Sequence, residues 1–179
     1  AESSPFDQNP IFLLYLTGQR APLWNTHTRG VFFGINPDTN SKQMIRGVME
    51  SIAFGIRWVF EMIQQKGFSI SDIRMTGGCA NSQPWLDIFA EILGRPVLIP
   101  GEQDASTLGT AILTGVGTGI FSSFEDALKL LTIRETHSPS NNSVIEEYYN
   151  EIFALYKNLY RKSQDEMSVL AHIREKFGE

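Results

Sequence analysis

The residues best placed to do chemistry lie in one short run, Gly77-Gly78-Cys79-Ala80-Asn81-Ser82. Two adjacent glycines carry no Cβ, so another molecule can approach the backbone there. Asn81 or Ser82 can cap a following helix, and Pro84 suits its first turn. N–H groups at such a helix start point outward and carry partial positive charge, which favours phosphate. The same pattern also suits a tight strand-to-helix turn that binds nothing, and the local pattern alone favours that plainer reading. Cys79 sits where a helix start could activate a thiol. Other chemistries find no support. His27, His137 and His172 are far apart and share no metal-ligand spacing. There is no G-x-S-x-G elbow and no G-x-x-x-x-G-K-[ST] phosphate loop.

The elements that must position this turn can be read from periodicity. Ile73, Met75 and Thr76 suit a short buried strand before it. After it, Trp85, Leu86, Phe89, Ile92 and Leu93 recur at helical spacing, and Gly94 and Pro96 end that helix. Val97 to Pro100 is the next strand. Upstream, residues 11–16 and 31–35 read as strands, with a loop over 17–28. Asn40 and Gln43 stand at capping-box spacing before a long helix that Lys66-Gly67 closes. Its apolar face is expected at Ile45, Val48, Met49, Ile52, Ile56, Val59 and Ile63. Arg46–Glu50 and Arg57–Glu61 are expected as solvated i,i+4 pairs. Gly47 reads as a close-packing position.

Downstream, residues 104–119 read as a glycine-rich helix, close-packed at Gly109, Ala111 and Gly115. Ser123 and Asp126 open a short helix through Leu131, and 136–142 is expected as loop. Ser143 and Glu146 precede a long helix with a packing stripe of Tyr149, Ile152, Tyr156, Leu159 and Tyr160. The polar tail from Asp165 is expected to fray or to pack on a partner.

Four stretches, in order, resemble the FGGY carbohydrate kinases. TGGCANSQPWLDIFAEILGRPV, from Thr76, is similar to the family's adenosine-site segment. LYLTGQRAPLW, from Leu14, is similar to its LPYLxGERAPxW loop. RGVFFGI, from Arg29, with Gln43-Met44 and Val48-Met49-Glu50, resembles its second signature. DASTLGTA, from Asp104, resembles its EASALGAA segment. The likeness runs from about Phe12 to about Pro139 and continues more loosely into the last helix.

The resemblance implies an α/β chain of the actin-like ATPase, ribonuclease-H-like fold. It implies the later part of the C-terminal, nucleotide-facing domain over residues 1–179, with the sugar-binding N-terminal domain absent. The cofactors it implies are ATP and Mg²⁺. The parent reaction would move the γ-phosphate of MgATP to a hydroxyl of a sugar or sugar acid, of xylulose or gluconate type. The implied ATP site is Gly77, Gly78 and Cys79 against the α-phosphate and ribose, with Asn81 and Ser82 facing adenine. Cys79 then reads as a small turn residue, since the family usually has Gly or Ala there. The loop bearing Arg20 would lie near the interdomain cleft. Gln19 stands where the family most often has Glu, which removes a negative charge. No catalytic residue is expected in this chain: the aspartate base belongs upstream, so the chain alone is expected to be inactive. The alternatives are a non-catalytic interaction module or degenerate kinase half, and an actin-like ATPase domain without a sugar substrate.

Composition sets the outer bounds. The 179 residues are 42% hydrophobic and 20% charged, which suits a sizeable core. A net charge of −5 gives no basic surface for nucleic acid. The single cysteine excludes an intrachain disulfide and fits a reduced, cytoplasmic setting. No apolar run reaches membrane-span length, and no signal peptide is visible. These bounds add no nucleic acid and no membrane to the partners the resemblance implies, which are ATP and, through the other domain, a sugar or sugar acid; a homodimer is compatible.

Overall fold

The computed structural model describes residues 4–19, 21, 23–102 and 104–178. In chain order the elements are β1 (Ile11–Leu13), β2 (Val31–Phe33), α1 (Ser41–Gln65), β3 (Ile73–Arg74), a 3-10 turn (Gly78–Asn81) and α2 (Gln83–Leu93). Then come β4 (Val97–Pro100), α3 (Ala105–Gly117), α4 (Phe124–Leu128), β5 (Ile133–His137) and α5 (Ser143–Phe177). They cluster in two compact units. Residues 1–70, 91–93 and 141–179 form the first, and residues 71–90 and 94–140 the second.

The first unit pairs a two-stranded antiparallel sheet with two long helices. β1 and β2 align Ile11 with Phe33 and Leu13 with Val31. Asn40 caps α1 in the expected box: its side chain accepts from the Lys42 and Gln43 amides, and Gln43 Oε1 accepts from the Asn40 amide at 2.8 Å. Gly47 packs as expected, because a Cβ there would collide with the Pro10 carbonyl.

The buried face of α1 differs from the one expected. Met49, Glu50, Ala53, Phe54 and Trp58 are buried, while Ile52, Ile56 and Val59 are only half-buried and Ile45 is exposed. The reason is the aromatic stripe of α5. Phe54 stacks on Phe153 at 5.9 Å, and Trp58 meets Tyr160 edge-on at 5.6 Å. Rings of that size claim the helix face that presents aromatic surface to them.

Arg46 and Glu50 are buried rather than solvated. Arg46 Nε donates to Glu50 Oε1 at 2.7 Å, and Arg46 Nη2 donates to the Tyr149 hydroxyl at 2.9 Å. That hydroxyl in turn donates to Glu50 Oε1 at 3.0 Å. Arg57 and Glu61 also part company: Arg57 bonds Asn150 and lies over the Phe153 ring, while Glu61 accepts from Lys157 at 2.7 Å. Helix α5 starts one residue earlier than the Ser143 signal suggests, with Asn142 accepting from the Val144 amide. It does not fray at Asp165 but runs on to Phe177, with Met167 and Ala171 buried.

All five tyrosines have phenols held above their ordinary range, chiefly by burial. Tyr156 is pushed up to about 12. A raised phenol stabilises the folded chain fully below the unfolded value of about 10, and that contribution is lost as pH rises through the folded value. In a phenolate absorbance titration, ionisation is therefore expected to lag above pH ~10 and to coincide with loss of helical circular dichroism. Phenols titrating near pH ~10 with the helices intact would contradict this packing.

The second unit is a three-stranded mixed sheet in the order β3-β4-β5. β3 and β4 run parallel, aligning Ile73 with Val97; β4 and β5 run antiparallel, aligning Val97 with His137. β3 is shorter than the three apolar positions suggested, although the Met75 amide still reaches the Leu98 carbonyl at 3.0 Å. The segment expected as loop from Thr136 begins instead inside β5. Asp104 caps α3 through the Thr107 amide, and Ser123 caps α4 through the Asp126 amide. Gly115 is a close-packing position, as a Cβ there would come within 2.5 Å of the Phe121 ring. Gly109 is not: nothing stands within 4 Å of its Cβ position, and Ala111 is exposed. Among the described residues no helix is long and apolar enough to cross a membrane.

Candidate functional site

The glycine turn lies between β3 and α2, as the sequence predicts, and it is open. Gly77 adopts φ +80° and ψ −162°, a conformation that glycine takes without the strain a Cβ would bring. Gly77 and Gly78 are exposed, and nothing stands within 4 Å of a Cβ built on either. The helix start is more elaborate than a single capped turn. Residues Gly78–Asn81 form a 3-10 turn in which the Ala80 amide donates to the Gly77 carbonyl at 3.1 Å and the Ser82 amide to the Cys79 carbonyl at 3.2 Å. Those two amides are spent within the turn. Gly78 and Cys79, at its entry, donate to no backbone carbonyl among the described residues.

Ser82 is extended (φ −115°, ψ 100°) and ends the 3-10 turn. Its carbonyl accepts from the Trp85 and Leu86 amides, which launches α2 at Gln83 with Pro84 in its first turn. Asn81 is exposed, Ser82 and Cys79 are half-buried, and Ala80 is buried and anchors the turn. The five residues named from the sequence as an ATP site thus lie along one short strip of chain, exposed at Gly77, Gly78 and Asn81. Arg20, named with them for a cleft loop, lies outside the described residues.

Beside this strip sits a group that periodicity did not reveal. His137, at the end of β5, is buried with 6% exposure. Its Nδ1 lies 3.0 Å from Gln83 Nε2 and 3.1 Å from Asp87 Oδ1. The signal was faint: Ile133 is the one apolar residue of Ile133–His137, although Glu135 and His137 would share one face of a strand.

A second feature of this unit is an apolar cavity of about 340 Å³, lined by Thr76, Pro100, Leu108, Gly109, Ile112 and Ile133 among others. Further along, Leu113 and Ile120 are 63% and 75% exposed. Among the described residues no group of three or more His, Cys, Asp and Glu stands ready to hold a metal.

Residues 1–118 match the family described as "FGGY family of carbohydrate kinases, C-terminal domain". A gluconokinase of Bacillus licheniformis is 31% identical over 163 residues, covering 90% of this chain and 31% of that protein. A xylulose kinase of Bacillus subtilis (strain 168) is 29% identical over 175 residues, covering 97% of this chain and 35% of that one. Among solved structures, a ligand-bound xylulose kinase from Lactobacillus acidophilus superposes with a TM-score of 0.78 at 26% identity, over 87% of this chain and 31% of its own. The chain thus spans about a third of the length of the relatives it matches.

Proposed function

The chain belongs to the FGGY family of carbohydrate kinases and has its actin-like α/β fold, and from that premise we propose that it is the nucleotide-facing part of an ATP-dependent sugar or sugar-acid kinase. The observation that carries the reading is the open Gly77–Gly78 turn, which falls inside the matched residues and has no side chain in front of it. Gluconate and xylulose are the favoured acceptor types, from the names of the relatives that match 90% and 97% of this chain.

In this reading Gly77, Gly78 and Cys79 line the α-phosphate and ribose, and Asn81 and Ser82 face the adenine. Bound MgATP supplies the transferable γ-phosphate. The chain's own part is positioning: a fixed turn, entered by the Gly78 and Cys79 amides, orients the nucleotide without itself handling the proton. Mg²⁺ would be held chiefly by the phosphates of the nucleotide itself. The sugar domain, the aspartate base and the rest of the nucleotide-binding domain lie in the remaining two-thirds of a whole kinase. The exposed apolar surface at Leu113 and Ile120 suits contact with that remainder. A cytoplasmic setting accompanies the reading.

The test has two arms. The chain alone is expected to bind ADP in calorimetry, yet to show no sugar-dependent ADP release with xylulose, gluconate or glycerol. Turnover by the chain alone would overturn the division of labour, and absence of any nucleotide binding would remove the nucleotide site.

A further inference from the structure

We propose that His137 is a positioning residue for the Gly77–Ser82 turn, acting through Gln83. The consequence for ligand affinity rests on the nucleotide reading; the positioning itself does not. Three side chains form a closed triangle. Gln83 Nε2 donates to Asp87 Oδ1 at 3.2 Å, and both atoms lie within 3.1 Å of His137 Nδ1. Gln83 and Asp87 are one turn apart on α2, so both can face a single group on the neighbouring strand.

The tautomer follows from the donors. An amide nitrogen only donates, so Gln83 Nε2 can bond Nδ1 only if Nδ1 carries no proton. The proton then sits on Nε2. That atom is buried and has Glu135 Oε1 at 2.9 Å, too far off the N–H axis for a good hydrogen bond. With Nδ1 unprotonated, its 3.1 Å approach to Asp87 Oδ1 is not a hydrogen bond; Gln83 Nε2 is the donor to both acceptors and holds them together.

Why should this fix the turn? Gln83 directly follows Ser82, so its side chain is the first lateral tie beyond the 3-10 turn. Gln83 and Asp87 are both exposed, and a bond between two mobile surface groups contributes little. His137 changes that balance. It is buried and its backbone is held in register against Val97, which is itself fully buried. The tie therefore fastens the start of α2 to the rigid sheet.

The test is amide hydrogen exchange and ADP titration on the chain with three variants. Gln83→Met removes the tie at an exposed helical position and should leave the fold intact. His137→Leu removes it from the sheet side. His137→Asn places an amide oxygen near the Nδ1 position and should restore an acceptor for Gln83. In Gln83→Met and His137→Leu, exchange at Ala80 and Ser82 is expected to quicken about fivefold, the worth of one hydrogen bond. Val97 and Ile99 should keep their wild-type rates in Gln83→Met, and His137→Asn should stay within about twofold of wild type at all four amides. ADP affinity should weaken in parallel, by about fivefold. Unchanged exchange at Ala80 and Ser82 in Gln83→Met would overturn the proposal, as would equal acceleration throughout the sheet. If the exchange pattern appears but the wild-type chain binds no ADP, the positioning role stands and the nucleotide assignment falls.

Discussion

Glu50→Ala is expected to lower the unfolding free energy by about 3–5 kcal/mol, the usual cost of breaking one side of a buried ion pair. The guanidinium of Arg46 would be left 9% exposed with its carboxylate gone, and the Tyr149 hydroxyl would lose its acceptor. Arg46→Met should cost a similar amount by stranding the carboxylate. Burial already pushes the Glu50 carboxyl above its ordinary range, against the pull of Arg46 and Tyr149. A carboxyl raised in this way stabilises the fold most below its unfolded value, and that contribution is lost as pH rises through the raised one. Glu50→Gln, which stays neutral, should therefore be milder than Glu50→Ala at neutral pH. The combined Arg46→Met, Glu50→Leu, Tyr149→Phe protein should lose less than either single truncation, because no charge is left unpaired. Urea denaturation of the set decides it; equal, small losses throughout would mean the network is solvated after all.

Gly78→Val is expected to raise the Michaelis constant for ATP by roughly tenfold or more in the whole kinase, which corresponds to ~1.4 kcal/mol of lost binding. The Michaelis constant for the sugar should change little. Nothing lies within 4 Å of a Cβ at Gly78, so the new side chain meets ligand rather than protein, and melting temperature should hold. Ser82→Ala should act in the same direction by about fivefold, the worth of one neutral hydrogen bond. Varying each substrate in turn separates binding from folding. Unchanged ATP dependence in a well-folded Gly78→Val protein would leave the turn as packing.

What could be read in advance was local. The Asn40–Gln43 box, the Ser123–Asp126 helix start and the glycine turn are written in short-range chemistry, and each appears where it was expected. What escaped was decided by partners distant in sequence. Arg46 and Glu50 look like a surface pair until Tyr149, 103 and 99 residues away, covers them. Thr136 and His137, the end of β5, look like loop because their strand character comes from pairing with β4. The 3-10 turn was hidden for another reason: it inserts one short turn between Gly77 and α2, and pattern alone does not count that extra turn. The Arg20 expectation falls on a residue outside those described.

The division of the chain also has a consequence for how it is made. The first unit is assembled from residues 1–70 and 141–179, with only 91–93 between, so nearly the whole second unit is an insertion in its sequence. The hydroxyls of Tyr15 and Tyr156 meet at 2.9 Å across an interval of 141 residues. At a synthesis rate of ~5–20 residues per second, that bond waits roughly 7–28 s after its first half emerges. During that wait α1 has no α5 to cover Phe54 and Trp58, while every strand of the second unit's sheet is already available. Within this stretch the order of maturation thus departs from the order of translation: the inserted unit closes first, and residues 1–70, made before it, become native after it.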